Sequence, residues 1–185
     1  MKSFFSILLL LMFCNMTLAS EKGEAANWQP NLNAVLEEEA LKLVGSTLFS
    51  IFIWDLYKSK LLTTSGKYPM TTDNEYLMYE IEYFKGISSE DLIERTIEQW
   101  QHLGVSEVEY RDYLPKLKNI WPDIKAGDTL TLVINKTGSA FYHNKKIVGG
   151  INKAEFGPLF LDIWLSEKTS EPTLRSELLG IKNNG

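Results

Sequence analysis

The sequence predicts an α+β fold, an open-faced sandwich in which an antiparallel β-sheet carries a layer of helices on one face. Two observations predict it. The spacing of apolar residues switches from two to helical after Ser88, returns to two after Gly127 and turns helical again after Gly150. Strands, helices, strands and helices in that order make two amphipathic sets. An antiparallel sheet with helices on one face is the simplest arrangement that buries both.

Residues 20–33 are polar, with glycine, proline and asparagine, and read as a loose arm that reaches residue 40. Residues 41–62 are the most apolar part of the chain after the leader, rich in aromatic and β-branched types. Gly45 and Ser46 interrupt this run, so it reads as two strands with a tight turn or bulge between them. The second strand, through Trp54 and Tyr57, is apolar on both faces and is expected to be central and covered on both sides. Residues 65–69 form a loop. In residues 76–84, Leu77, Tyr79, Ile81 and Tyr83 face one way and Glu80 and Glu82 the other, a half-buried strand.

Ser88 or Ser89 caps the next segment, with Glu90 and Asp91 in its first turn. Leu92, Ile93, Thr96, Ile97, Trp100 and Leu103 recur at helical spacing, and Gly104 ends the helix. Pro115 divides residues 106–121 into two short helices, with Tyr110, Leu114, Leu117 and Trp121 as the buried stripe. Turns at residues 126–128, 136–138 and 144–145 then separate three strands of a meander, which Gly149-Gly150 is expected to end. A helix over 153–165 packs Phe156, Leu159, Phe160, Ile163 and Trp164 inward. A last short helix from Pro172 ends at Gly180, ahead of a tail over 181–185.

Residues 1–19 read as a signal peptide. Lys2 supplies the positive start, and the apolar run from Phe4 to Phe13 is too short to span a bilayer. Thr17 and Ala19 are small at the positions a signal peptidase reads, which places cleavage after Ala19 and the product in the periplasm. Phe13 ahead of Cys14 argues against a lipoprotein signal. Cys14 is the only cysteine, so the mature chain has no disulfide, thiol nucleophile or cysteine metal site. The formal charge is -5, and loss of Lys2 makes it more negative. An acidic chain is a poor partner for nucleic acid. After cleavage no apolar stretch is long enough to form an integral membrane segment.

Groups for catalysis are sparse. His102 and His143 are isolated, with no ligand-spaced partner, so neither a metal nor another cofactor is expected. There is no G-x-S-x-G, P-loop or G-x-G-x-x-G motif. Glu37-Glu38-Glu39 reads as a solvated edge or turn. Asp55 is the conspicuous charge inside an apolar strand. It reads either as an edge carboxylate paired with Lys58 or Lys60, or as a cleft carboxylate acting as general base. Trp54, Tyr57, Tyr79 and Tyr83 lie on apolar faces where a cleft between sheet and helices would be lined, and tyrosine hydroxyls there can orient a polar head.

Several stretches resemble the chalcone isomerase-like superfamily. They are Ile81-Glu82-Tyr83-Phe84-Lys85-Gly86-Ile87-Ser88, the helix end Trp100-Gln101-His102-Leu103-Gly104, and Ile120-Trp121-Pro122-Asp123-Ile124-Lys125-Ala126-Gly127-Asp128. The most specific are Phe160-Leu161-Asp162-Ile163-Trp164-Leu165 and the tail Pro172-Thr173-Leu174-Arg175-Ser176-Glu177-Leu178-Leu179-Gly180, which resemble the exported bacterial branch. The resemblance covers residues 41–180 in element order and implies the same open-faced sandwich. It also implies one of two activities: closure of a flavanone ring by intramolecular addition, as in the plant isomerases, or fatty-acid binding in the same cleft.

Four positions bear on that choice. The enzymes hold an anionic phenolate with an arginine from an early strand, and Thr47 stands at the matching place here. The family's helix tyrosine and asparagine fall on Ser88 and Arg95, and its strand threonine falls near Trp54 or Asp55. Loss of one preorganised donor to a developing anion lowers the rate about a hundred- to a thousand-fold. Binding tolerates such changes better, because each buried methylene contributes roughly 0.8 kcal/mol. The expected function is therefore a noncatalytic protein binding a fatty acid or similar apolar small molecule, with Trp54, Tyr57, Tyr79 and Tyr83 in the cleft. The alternatives are a lyase or isomerase using Asp55, and a protein-interaction module with a filled cleft. A pocket between the sheet and the helix carrying Trp100 separates the three.

Overall fold

A computed structural model describes residues 41–181 and, ahead of them, Val35. The signal peptide expected over residues 1–19, the rest of the expected arm and residues 182–185 lie outside the described residues. Six strands form one sheet: β1 (Lys42–Ile51), β2 (Trp54–Thr63), β3 (Leu77–Tyr83), β4 (Thr129–Asn135), β5 (Gly138–His143) and β6 (Lys146–Ile151). They lie side by side in chain order, and every neighbouring pair is antiparallel. Between β3 and β4 come α1 (Ser89–His102), α2 (Glu107–Tyr110) and α3 (Leu114–Ile120); α4 (Phe156–Leu165) and α5 (Pro172–Leu178) follow β6. This is the expected α+β open-faced sandwich.

The α1–α3 excursion leaves and rejoins the sheet without breaking its order, because a backbone clasp closes its base. Ile87 and Ile124 exchange both backbone hydrogen bonds, at 3.0 and 2.9 Å, and Gly127 N donates to Tyr83 O at 2.7 Å. Ser88 caps α1 by accepting from Asp91 N, and Pro115 sits in the first turn of α3, where its missing N–H is harmless. Trp100 is fully buried; its indole stacks on Tyr110, and its Nε1 donates to Leu159 O at 3.0 Å, tying α1 to α4. The main core lies between these helices and the inward residues of β3, β4 and β5. On the opposite face Met78, Val133, Ala140 and Tyr142 form a second cluster, against which Val35, in helical conformation, is buried.

Four expectations are corrected. Gly45 does not separate two strands. It lies within β1 beside a register shift, and the hairpin turns instead at Phe52 and Ile53. The apolar stretch around Trp54 is therefore an exposed hairpin end, and the central, doubly covered strand expected there does not form. Gly45 owes its identity to packing, since a Cβ there would collide with the backbone carbonyl of Glu177 in α5. Gly149 and Gly150 do not end the meander either. β6 runs through both to Ile151, with a bulge opposite Phe141 and Tyr142, and a Cβ at Gly149 would strike Ile120 of α3. The helix after β6 starts at Phe156, preceded by a turn in which Phe156 N donates to Lys153 O.

Glu75, a residue the sequence did not single out, holds the loop between β2 and β3. Its carboxylate accepts from Ser65 Oγ at 2.7 Å, Thr71 N at 3.0 Å and Thr72 N at 3.1 Å, in a buried position. The Ser65 hydroxyl first, then the Thr71 N–H, lower its pKa from 4.5 to about 2. A depressed carboxylate stabilises the fold above its unfolded value, and that contribution is lost as pH falls through the folded one. Glu75→Gln should therefore lower stability most at neutral pH and converge on the wild type as pH falls from 4.5 through about 2. Urea unfolding across that range checks this; a constant difference at all pH values would refute it.

Candidate functional site: an apolar cavity between sheet and helices

A cavity of about 550 Å³ lies between the helical layer and the sheet. Its floor comes from one face of four consecutive strands: Tyr57 of β2, Tyr79, Ile81 and Tyr83 of β3, Leu130 and Leu132 of β4, and Phe141 of β5. The alternation of β3 and β4 dictates this, because side chains two apart share a face. The roof is Leu92 and Thr96 of α1 with Phe160, Ile163 and Trp164 of α4, one helical turn apart. Phe49, Ile51 and Leu56 close one end from the β1–β2 hairpin. Polar residues gather at the rim: Arg95, Glu98 and Gln99 from α1, and Ser170 and Glu171 ahead of α5.

The aromatic walls hold one another in place. Trp164 packs on Tyr79 at 4.8 Å and on Phe160 at 5.4 Å between ring centroids, and its Nε1 donates to Tyr57 Oη at 3.0 Å. Tyr57 as a residue is half-exposed, yet its hydroxyl end lies inside, where burial pushes the phenol up to about 12 against the opposing pull of the Trp164 hydrogen bond. Burial drives Tyr79 and Tyr83 upward as well, each reinforced by Tyr57 nearby. All three phenols are thus neutral donors at any ordinary pH. The Tyr79 hydroxyl and the Trp121 indole N–H are buried without a hydrogen-bond partner among the described residues. The Ser59 hydroxyl beside Tyr79 eases its phenol somewhat but stands outside hydrogen-bond geometry. An unpartnered buried donor costs about 1–3 kcal/mol, and the fold carries that cost at these two atoms, which the walls shield even from the cavity.

Of the four residues predicted to line the cleft, Tyr57, Tyr79 and Tyr83 do so. Trp54 does not. It is exposed beside the hairpin turn, with the Lys85 ammonium 4.9 Å from its ring. Asp55 is exposed on the same hairpin and accepts from Ser50 Oγ at 2.6 Å, away from the cavity, so the burial that a general base there would require is missing. Neither Lys58 nor Lys60 pairs with it; Lys60 pairs with Glu80 at 3.2 Å. His143 meets Asp128 at 3.0 Å at the end of the meander, outside the cavity, and His102 ends α1 exposed. The sequence named Arg95 only as the position of the family's helix asparagine, with no part in the cleft lining. Arg95 lines the rim and pairs with Glu98 at 2.7 Å. Its place one turn before Gln99 on the cavity side of α1 was the available signal.

An antiparallel sheet roofed on one face by helices, with an apolar cavity between the layers, has room for a small apolar molecule. The family model described as chalcone isomerase-like matches residues 22–180, and the chain belongs to that family. Among solved structures it is similar to a fatty-acid-binding protein of Arabidopsis thaliana, with a TM-score of 0.57 and 13% identity, covering 75% of this chain and 86% of that one. A search of curated proteins finds no match. The four positions compared with the family's enzymes fall in different places. Thr47 is buried and donates to Glu177 of α5, Ser88 caps α1, Trp54 and Asp55 are on the exposed hairpin, and Arg95 alone reaches the cavity.

Removing the Tyr79 hydroxyl takes away an unpartnered buried donor and little packing. Tyr79→Phe should leave the ligand-free protein as stable as the wild type or about 1 kcal/mol more stable in denaturant unfolding. A loss of more than about 1 kcal/mol would mean that the hydroxyl has a partner within the fold.

Proposed function

We propose that this chain is an exported, noncatalytic binder of a fatty acid or a similar apolar small molecule. The observation that carries the reading is the apolar cavity of about 550 Å³ between sheet and helices, lined by the aromatic rings of Tyr57, Tyr79, Tyr83 and Trp164. The volume is within the range of small-molecule sites, which combine apolar walls with a few convergent polar groups. Neutral phenol and indole donors suit an oxygen acceptor such as a carbonyl or carboxyl head. Aromatic and aliphatic walls suit the tail. The similar fold of the Arabidopsis fatty-acid-binding protein supports the same class of ligand. Asp55 stands outside the cavity, which speaks against the reading that makes it the base, and an open cavity does not favour a filled module.

Native mass spectrometry and solvent extraction of the purified protein should release a bound lipid, and added fatty acid should raise the melting temperature of the stripped protein. If nothing co-purifies and fatty acids leave the melting temperature unchanged, the reading fails.

Export rests on the leader read in residues 1–19. N-terminal sequencing of the protein recovered from the periplasmic fraction should begin at Ser20. Recovery of the full chain in the cytoplasm would reject export.

A further inference from the structure

The end of the β1–β2 hairpin is built against the ordinary rules for such turns. Ile51 pairs with Trp54, so the loop is the two residues Phe52 and Ile53. Phe52 has φ of +54°, a conformation that two-residue hairpin loops normally assign to glycine or asparagine. A bulky side chain there is strained, and strain of this kind is retained where something other than the fold requires it. Both loop side chains stand in solvent, Phe52 98% exposed and Ile53 86%, flanked by Trp54 at 57% and Ile51 at 47%. Polar turn residues would make the same hairpin at no cost to the core.

The finger is continuous with the cavity. Ile51 is both exposed at the finger's end and part of the cavity lining, and Leu56 lines the cavity from the other strand. The apex is convex and only a few side chains wide, whereas a stable protein interface takes about 800 Å² from each partner. A fluid apolar phase needs no matching groove. Around the shaft, Lys85 lies over the Trp54 ring and Lys58 is exposed, while the finger's carboxylate, Asp55, is turned onto Ser50. An apolar tip with an indole and ammonium groups behind it matches the layering of a bilayer: hydrocarbon, interface, headgroup.

We propose that the Phe52–Ile53 tip inserts into the surface of a lipid bilayer and sets the cavity against it, so that an acyl chain passes between membrane and cavity along Ile51 and Leu56. The inference rests on the binding function proposed above and names the surface from which the ligand comes. It requires no spanning segment, and no helix among the described residues is long and apolar enough to cross a membrane.

The experiment pairs the wild type with the double variant Phe52→Gly, Ile53→Asn, in which the residues favoured by this turn replace the apolar ones. The variant should melt at the same temperature as the wild type or higher. In co-sedimentation with phosphatidylcholine vesicles the wild type should partition, and it should still do so in high salt. The variant should partition on the order of a hundred-fold less, since each large apolar side chain withdrawn from water is worth roughly ten-fold. Transfer of a fluorescent fatty acid from vesicles should slow in parallel. Equilibrium binding of dissolved decanoate, which bypasses the membrane, should be the same in both proteins. Wild type that stays in the supernatant, or a variant that sediments equally, overturns the proposal. So does a wild-type dimer that the variant abolishes while neither protein binds vesicles, since the tip would then meet a second copy. Vesicle binding with no decanoate binding by either protein would instead sink the ligand-binding function and leave the docking surface standing.

Discussion

The indole of Trp100 ties the two helices that roof the sheet, and the cavity depends on that tie. Its Nε1–H bond to Leu159 O fixes α1 against α4, and its stacking on Tyr110 carries α2 into the same layer. Six antiparallel strands leave an apolar face that must be covered, and a roof free to settle would close onto it. Here the roof is held off the sheet by rings. Phe160 and Trp164 stand beneath α4, with Tyr79 and Trp121 as their partners in the floor and wall. Rigid aromatic side chains in mutual contact cannot collapse as flexible aliphatic ones do, so the gap between them persists.

The same geometry bears on the choice between the proposed binding and ring closure. Acyl and aromatic ligands need area and a few donors, and the cavity supplies both through neutral phenols that burial keeps protonated. Ring closure needs charge fixed where the transition state develops it. Thr47, near the place where the resemblance puts the enzymes' strand arginine, spends its hydroxyl on Glu177, and Arg95 at the rim is already paired with Glu98. The cavity's interior is polar enough to orient a head but carries no fixed positive charge among the described residues.

Much of this was legible in the chain. Strict alternation in β3 put Tyr79, Ile81 and Tyr83 on one face, and a pleated strand allows no other outcome. The serine cap, acidic first turn and helical stripe of α1 fixed its limits nearly to the residue, as did Pro115 for α3 and Gly180 after α5. The β1–β2 hairpin was misread because its turn carries none of the residues that mark turns. Phe52 and Ile53 look like strand interior, and Gly45 looks like a break, although a helix packed against its Cα is what keeps it glycine. Trp54 and Asp55 followed that error outward, from an imagined central strand to an exposed tip.

By itself the sequence determined most element types, the inward faces of β3, β4 and the main helices, and three tyrosines that line the cavity, because periodicity is a local property of the backbone. Whether those inward faces meet or leave a space between them is not local. It depends on how far Trp100, Phe160 and Trp164 hold the roof from the floor, and on which polar atoms then find partners. Arg95 reached the rim, Glu75 became the pin of a loop, and the Tyr79 hydroxyl was left unpaired only once helices and sheet were brought together. Tertiary packing decided these, since each is a relation between residues far apart in the chain.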